Sequence, residues 1–248
     1  MKKLMTACAA CVLAGMVSAQ VESVNIVGYN TVNLIAEYTL FALNFENVGG
    51  GAMPINDAFP YQAGAMKAGG LNDSDQLQVR DGAGYIVYRL RSTSVPANSW
   101  CRSGTTPTTD TIATGTAAWY LSRRNPSVSE PLSFQVAGEV ANDATKNLTI
   151  VSGYNLIANP YPYSVGLNSG IGFQSGMVSG GLNDSDQLQV RDGTGYIVYR
   201  LRATSSPANS WCRTGTTPTT DELPIGTAAW YLSRQASGSF QLQIARPW

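Results

Sequence analysis

Carboxylates are the residues whose type and spacing could most readily do chemistry in this chain. Asn72-Asp73-Ser74-Asp75 is followed by Asp81-Gly82, and the same set returns as Asn183-Asp184-Ser185-Asp186 with Asp192-Gly193. Hard oxygen ligands gathered around one hairpin suit calcium, so Asp73, Asp75, Asp81, Asp184, Asp186 and Asp192 form a candidate calcium set, and no other cofactor is suggested. The spacing lacks the closing glutamate of an EF-hand loop. Asn, Asp and Gly also make turns with no metal at all, and paired carboxylates are the apparatus of glycoside hydrolysis. All three readings are open on the residues alone.

Aromatic residues are the second candidates. Trp100 and Trp211 sit in two nearly identical polar stretches, NSWCRSGTTPTTD from Asn98 and NSWCRTGTTPTTD from Asn209. Rings held out of such loops could stack on sugars, so Trp100 and Trp211, with Tyr88 and Tyr199, form a candidate ligand-binding set. Trp119 and Trp230 lie between alanine and leucine in the apolar phase of a strand. They are expected in the core, with Leu121 on the same face as Trp119 and Tyr120 on the other. Arg80, Arg89, Arg91 and Arg102, interleaved with Gln and Asp, are expected to solvate an outer face and pair across strands.

Each tryptophan of that first pair precedes a cysteine. Cys101 and Cys212 could bond each other as a candidate disulfide, bond other molecules, or pack as free thiols. Each lacks the partner of a CxxC motif, which counts against redox catalysis. The chain has no histidine. That removes the usual general base at neutral pH and with it Ser-His-Asp, Cys-His and His-based zinc chemistry.

The elements that must position these residues come in two copies. Leu71 to Arg123 aligns with Leu182 to Arg234 without a gap, and only eight positions differ. Four of those lie together, at Thr111 to Thr114 against Glu222 to Ile225. Weaker matches extend the unit: INDAFPYQ from Ile55 answers LNSGIGFQ from Leu167, and IVGYN from Ile26 answers IVSGYN from Ile150. A unit of this size is too large for a solenoid repeat and fits tandem domains.

Within a unit, Leu77 and Val79 alternate with Gln76, Gln78 and Arg80, a DGAG turn follows, and YIVYRL alternates again: a β-hairpin. GTAAWYLSR reads as another strand. No sustained helical period follows the first residues, and Gly, Pro, Asn and Thr punctuate short strands. The expected fold is all-β, two tandem antiparallel β-sandwich or small β-barrel repeats.

The opening MKKLMTACAACVLAGMVSA pairs two lysines with an apolar run too short to span a bilayer and ends in small residues, as a signal peptide does. The expected organisation is therefore 1–19 signal peptide, 20–140 first repeat, 141–149 linker and 150–248 second repeat, secreted or held at the cell surface. Cys8 and Cys11 leave with the signal, and no transmembrane helix is expected in the mature chain. The whole sequence carries 16 basic and 16 acidic residues, so loss of Lys2 and Lys3 leaves a charge near minus two. Such a balance draws the chain toward neither nucleic acid nor anionic lipid. Expected partners are further copies of itself or a cell-surface polysaccharide.

SVNIVGYNTVNL, GYNLIANPYP, DQLQV followed by GYIVY, GTAAWY and the closing IARPW together resemble a class of exported repeat proteins from verrucomicrobial and related bacteria. The resemblance covers essentially the whole mature chain. It implies export and an all-β fold, and it carries over no catalytic or binding residue. This sequence departs from the class in having Arg80 and Arg191 where an aromatic is common after DQLQV, and Ala118 and Ala229 where Phe often precedes Trp. The residues point to a non-enzymatic structural or adhesive protein, with a carbohydrate-binding module, calcium-dependent or not, as the alternative.

Overall fold

The computed structural model describes residues 27–82, 84–192 and 195–247. The expected signal peptide, with Cys8 and Cys11, lies outside the described residues. The fold is all-β and antiparallel, and among the described residues no sheet closes into a barrel. Among the described residues no helix is long and apolar enough to cross a membrane.

The first half runs β1 (Val27–Leu34), β2 (Tyr38–Ala42), β3 (Phe45–Glu46), β4 (Met53–Pro54), a short helix α1 (Ile55–Ala58), β5 (Gln76–Asp81), β6 (Gly84–Arg91), β7 (Ser99–Cys101), β8 (Thr111–Ile112), β9 (Ala117–Leu121) and β10 (Leu132–Val140). The second runs β11 (Thr145–Val151), β12 (Gly153–Ala158), β13 (Val165–Gly166), β14 (Gln187–Asp192), β15 (Gly195–Arg202), β16 (Ser210–Cys212), β17 (Glu222–Leu223), β18 (Ala228–Ser233) and β19 (Ser239–Ala245). A five-stranded sheet in the order β2-β9-β5-β6-β7 is answered by β12-β18-β14-β15-β16. The long pair β1 and β10 is answered by β11 and β19, and the short pair β4 and β8 by β13 and β17.

The hairpin is as the alternation predicts: Gln76 opposes Arg89 and Asp81 opposes Gly84, with Gly82 at φ +57 in the turn. Period-two patterning then sorts the faces. Phe41, Leu77, Tyr88, Leu90 and Tyr120 point inward and are buried against Val32 and Leu34 of β1 and Phe134 and Val136 of β10. Phe41, Phe59 and Phe134 meet edge to face with ring centres 5.5 to 6.4 Å apart, the arrangement aromatic quadrupoles favour. Ile157, Leu188, Leu201, Tyr231, Leu242 and Ile244 build the second core in the same way.

Two sequence expectations give way here. The stretch 141–149 is not simply a linker: Thr145–Val151 forms β11 and pairs with β19 along its whole length, so it belongs to the second half. The match of IVGYN with IVSGYN is one of letters. Gly28-Tyr29-Asn30 lies on β1 opposite β10, whereas Gly153-Tyr154-Asn155 lies on β12 opposite β18. The structural counterpart of Tyr154 is Tyr38, since these two stand opposite Leu232 and Leu121, an equivalent pair.

The halves meet through the small-residue ends of their large sheets. Ala42, Ala117, Ala158 and Ala228 form one buried cluster, flanked by Leu40 and Leu156. Ala42 donates its backbone N–H to Gly226 at 2.9 Å, and Asn44 sends its amide to the carbonyls of Asn159 at 2.6 Å and Tyr161 at 3.0 Å. Lys146 adds ion pairs to Glu46 across the joint and to Asp143 within its own half. Gly226, at φ +70, is needed for its conformation and also its size, since a Cβ there would stand 2.5 Å from Asn30 Nδ2.

Candidate functional site

Asp75 and Asp186 are wholly buried, and their oxygens are already occupied. Asp75 accepts from the Lys67 N–H at 2.8 Å, the Arg123 N–H at 2.6 Å and the Tyr120 hydroxyl at 2.6 Å. Asp186 repeats this with Val178 at 3.0 Å, Arg234 at 2.6 Å and Tyr231 at 2.6 Å. Each carboxylate therefore ties the loop before one strand to the end of another. Burial first, and the adjacent carboxylate second, push both phenols well above the ordinary tyrosine range.

The other aspartates of the candidate calcium set do not join them. Asp73 is exposed, close to a glycine pair: a Cβ on Gly70 would fall 2.8 Å from its Oδ1, and a Cβ on Gly181 would fall 2.6 Å from Asp184 Oδ1. Asp81 and Asp192 are exposed at the far end of the strand, six residues and roughly 20 Å of extended chain beyond Asp75 and Asp186. Among the described residues no three His, Cys, Asp or Glu side chains gather as a metal site would need. The second aspartate of each DSD motif is thus taken up within the fold, while the first stands exposed at a turn.

The candidate aromatic set is also displaced. Trp100 and Trp211 are 1% and 0% exposed, too enclosed to stack on a ligand. Their backbone N–H groups each donate at 2.7 Å, to Asn56 and Asn168. The same amides reach on to the carbonyls of Thr108 at 3.1 Å and Thr219 at 2.8 Å, clamping the polar loop over the core. Sequence reading missed these two asparagines, although each occupies the same place in the INDAFPYQ and LNSGIGFQ match. Tyr88 and Tyr199 are buried as well. Tyr88 donates to Asp110 at 2.8 Å and Tyr199 to Asp221; burial and that bond raise both phenols, Tyr199 to about 12.

Cys101 and Cys212 are free, buried thiols, each with Sγ 3.5 Å from a serine carbonyl, Ser99 and Ser210. Desolvation raises both, against a smaller lowering by Arg91 and Arg202. The candidate disulfide between them does not form, for a topological reason. Cys101 lies on the edge strand β7, in the row that runs Tyr38, Leu121, Gln76, Arg89, Cys101, four rows from the Ala42 and Ala117 end where the halves touch. Four rows and the intervening strands amount to well over 10 Å in each half, whereas a disulfide requires Cα atoms within about 7 Å.

What remains on the outer faces is aromatic. Trp119 and Trp230, expected in the core, are half-buried on the outer face, and it is Tyr120 and Tyr231 that turn inward. Arg191 crosses from the second half to lie 5.4 Å from the centre of the Trp119 ring, and Arg80 crosses the other way to lie 5.3 Å from that of Trp230. Arg80 also reaches the Tyr154 carbonyl at 3.4 Å. These are the two positions at which the chain has arginine after DQLQV. Around them Tyr38, Tyr85, Tyr154 and Tyr196 keep 43%, 39%, 51% and 44% of their surface in solvent. A cleft of about 380 Å³ is lined by Tyr38, Gln78, Tyr85, Trp119 and Arg191, and a second, of about 310 Å³ at the joint, shares Tyr38 and Arg191 with it.

Comparison with protein-family models, with curated proteins and with solved structures finds no match to the chain.

Proposed function

We propose that the protein is an exported, non-enzymatic structural or adhesive component of the cell surface or extracellular matrix. The observation that carries this reading is where its reactive groups are spent. The buried carboxylates accept backbone N–H and tyrosine hydroxyl donors, both described thiols are buried, and the enclosed indoles hold the cores together. Surface at the Trp119 cleft is contributed by tyrosines, Trp119, the Gln78 amide and Arg191 instead. Two halves fixed to each other by buried amide bonds and an ion pair across the joint suit a load-bearing unit. The leader-like first nineteen residues support export.

Deletion of the gene, with immunogold labelling of the parent strain, tests this directly. Label at the envelope or in the matrix, and loss of attachment or cell cohesion that the purified chain restores, are the expected results. Label confined to the cytoplasm, or a deletion strain whose attachment and cohesion are unchanged, would overturn it.

A further inference from the structure

Side-chain amides stand where further strands could otherwise be added. Gln62 accepts from the Gln135 N–H at 2.8 Å and donates to the Gln135 carbonyl at 2.6 Å, bracketing β10 where β3 no longer covers it. Gln174 brackets Gln243 of β19 in the same way, at 2.7 and 2.6 Å, and Asn155 brackets Val151 of β11. Asn56 and Asn168 do so for Trp100 of β7 and Trp211 of β16. An unpaired row of N–H and C=O groups is a template for another strand, and a side chain seated on both groups of one residue blocks it.

The brackets also fix which way β1 faces. In an antiparallel pair, residues bonded to the partner strand alternate with residues whose N–H and C=O point away from it. Gln135 turns its groups to Gln62, so Thr31, directly opposite, turns away from β10, and Val27, Tyr29 and Asn33 share its parity. Among the described residues none of these four has a backbone partner on that side. Asn33 stands at the cleft of the joint, so the open run is Val27 to Thr31. Val27, Tyr29 and Thr31 are all exposed, Tyr29 at 71%. The strand, VGYNTVNL, carries no lysine, no proline and no charge, the devices that usually protect an edge. Its counterpart β11 is guarded: Asn155 holds one end, and residues 113–117 of the first half face Asn147, Leu148 and Thr149 across a cleft.

The open run fits a second copy of itself. Laid antiparallel about a two-fold axis with Tyr29 opposite Tyr29, it sets Val27 opposite Thr31 and uses every free N–H and C=O of these three residues. No like charges meet, and the two exposed phenol rings pack beside each other at the axis. The arrangement closes on itself, because β10 and β3 already flank β1 on its other side in each copy.

We infer that the chain forms a two-fold dimer by antiparallel pairing of β1 with β1 of a second copy, in register about Tyr29. This rests on the structural reading above and names its partner.

Sedimentation velocity of the chain from residue 20 onward, from low micromolar to near-millimolar concentration, should show a monomer–dimer equilibrium. Tyr29→Lys puts like charges directly opposite each other at the axis, and Thr31→Pro removes an N–H that faces the second copy and none that faces β10. Each variant should weaken dimerisation about tenfold or more, the proline by loss of one hydrogen bond per copy. Circular dichroism checks that both stay folded. Thr149→Pro, the matching change on guarded β11, should leave the dimer intact. Hydrogen exchange of the Tyr29 and Thr31 amides in the parent chain should slow as the dimer forms. A parent that stays monomeric throughout, a dimer that survives both β1 variants, or amides equally slow at every dilution would each overturn the inference. A monomeric parent leaves the envelope reading standing, since labelling and the deletion phenotype decide that separately.

Discussion

Tyr120 donates its hydroxyl to Asp75 over 2.6 Å at a point where both residues are 0% exposed, and Tyr231 does the same for Asp186. A phenol turned inward from β9 thus meets a carboxylate held at the start of β5, and two backbone N–H groups complete its coordination. The bond explains both the DSD motif and the inward face of the GTAAWY strand. Charge-assisted bonds of this kind are about twice as strong as neutral ones, and a buried carboxylate needs them to remain in the core.

Replacing Asp75 with Asn keeps the shape but puts an amide N–H where either the Lys67 N–H, the Tyr120 hydroxyl or the Arg123 N–H now donates. The expected loss is about 2–4 kcal/mol, read from urea unfolding, with Asp186→Asn behaving alike. Millimolar calcium should leave the unfolding midpoint of the parent chain where it was. A calcium-dependent rise would return the aspartates to the role of ligands.

Alkaline pH should attack the same networks. Tyr88, Tyr120, Tyr199 and Tyr231 all titrate above the ordinary value of 10.0 in the fold, burial being the largest cause. A raised folded value means that their stabilising contribution is complete below pH 10, where the phenols of the unfolded chain are also protonated. It is lost as pH rises from there through the folded values, Tyr199 at about 12. Stability measured by chemical denaturation should hold flat up to about pH 10 and then fall. Phenolate absorbance from these residues should arrive together with unfolding rather than before it.

The sequence revealed strands more readily than faces. DQLQVRDGAGYIVYRL alternates cleanly, so β5 and β6 are legible down to the turn. The five two-residue strands, β3, β4, β8, β13 and β17, are too short to carry any period. Face assignment failed at β9 because an indole among alanines was weighed as core, yet Ala118 and Tyr120 are the inward residues and Trp119 is held outside by an arginine from the other half. That contact is long-range, and nothing local announces it. Burial failed at Ser99-Trp100-Cys101 because its neighbours are polar. Ser94 donates to the carbonyls of Arg91 and Pro96 at 2.8 Å, and Ser99 to Pro96 at 2.8 Å, so the loop satisfies its own polar groups and can be enclosed. A polar composition reports solvent exposure only when the polar atoms lack partners inside the protein.

Free thiols follow from that enclosure. The chain from residue 20 onward should show no reaction of Cys101 or Cys212 with a thiol reagent in the native state, and two equivalents after denaturation without reductant. Its electrophoretic mobility should be the same with and without reductant. Zero equivalents after denaturation would place the two cysteines in a disulfide and contradict the topology that separates β7 from β16.

Asn44 decides whether the halves unfold as one. Its Nδ2 donates to the carbonyls of Asn159 and Tyr161, and its Oδ1 accepts from Asn30 Nδ2 at 3.2 Å, so one side chain joins β1, the end of β2 and the start of the second half's large loop. Asn159, by contrast, spends its amide on Tyr163, Leu223 and Pro224 within its own half. The joint is therefore lopsided, and among the described residues Asn44 is its one buried side-chain amide clamp. Asn44→Ala strips two buried carbonyls of a donor at once and should cost about 2–4 kcal/mol at the joint. Each half keeps its own core, so the loss should fall on their coupling. Calorimetry should show one transition for the parent chain and two for Asn44→Ala, the more so with Lys146→Met, which breaks the ion pair to Glu46. A single transition lowered as a whole would mean that the alanine cluster alone holds the halves together.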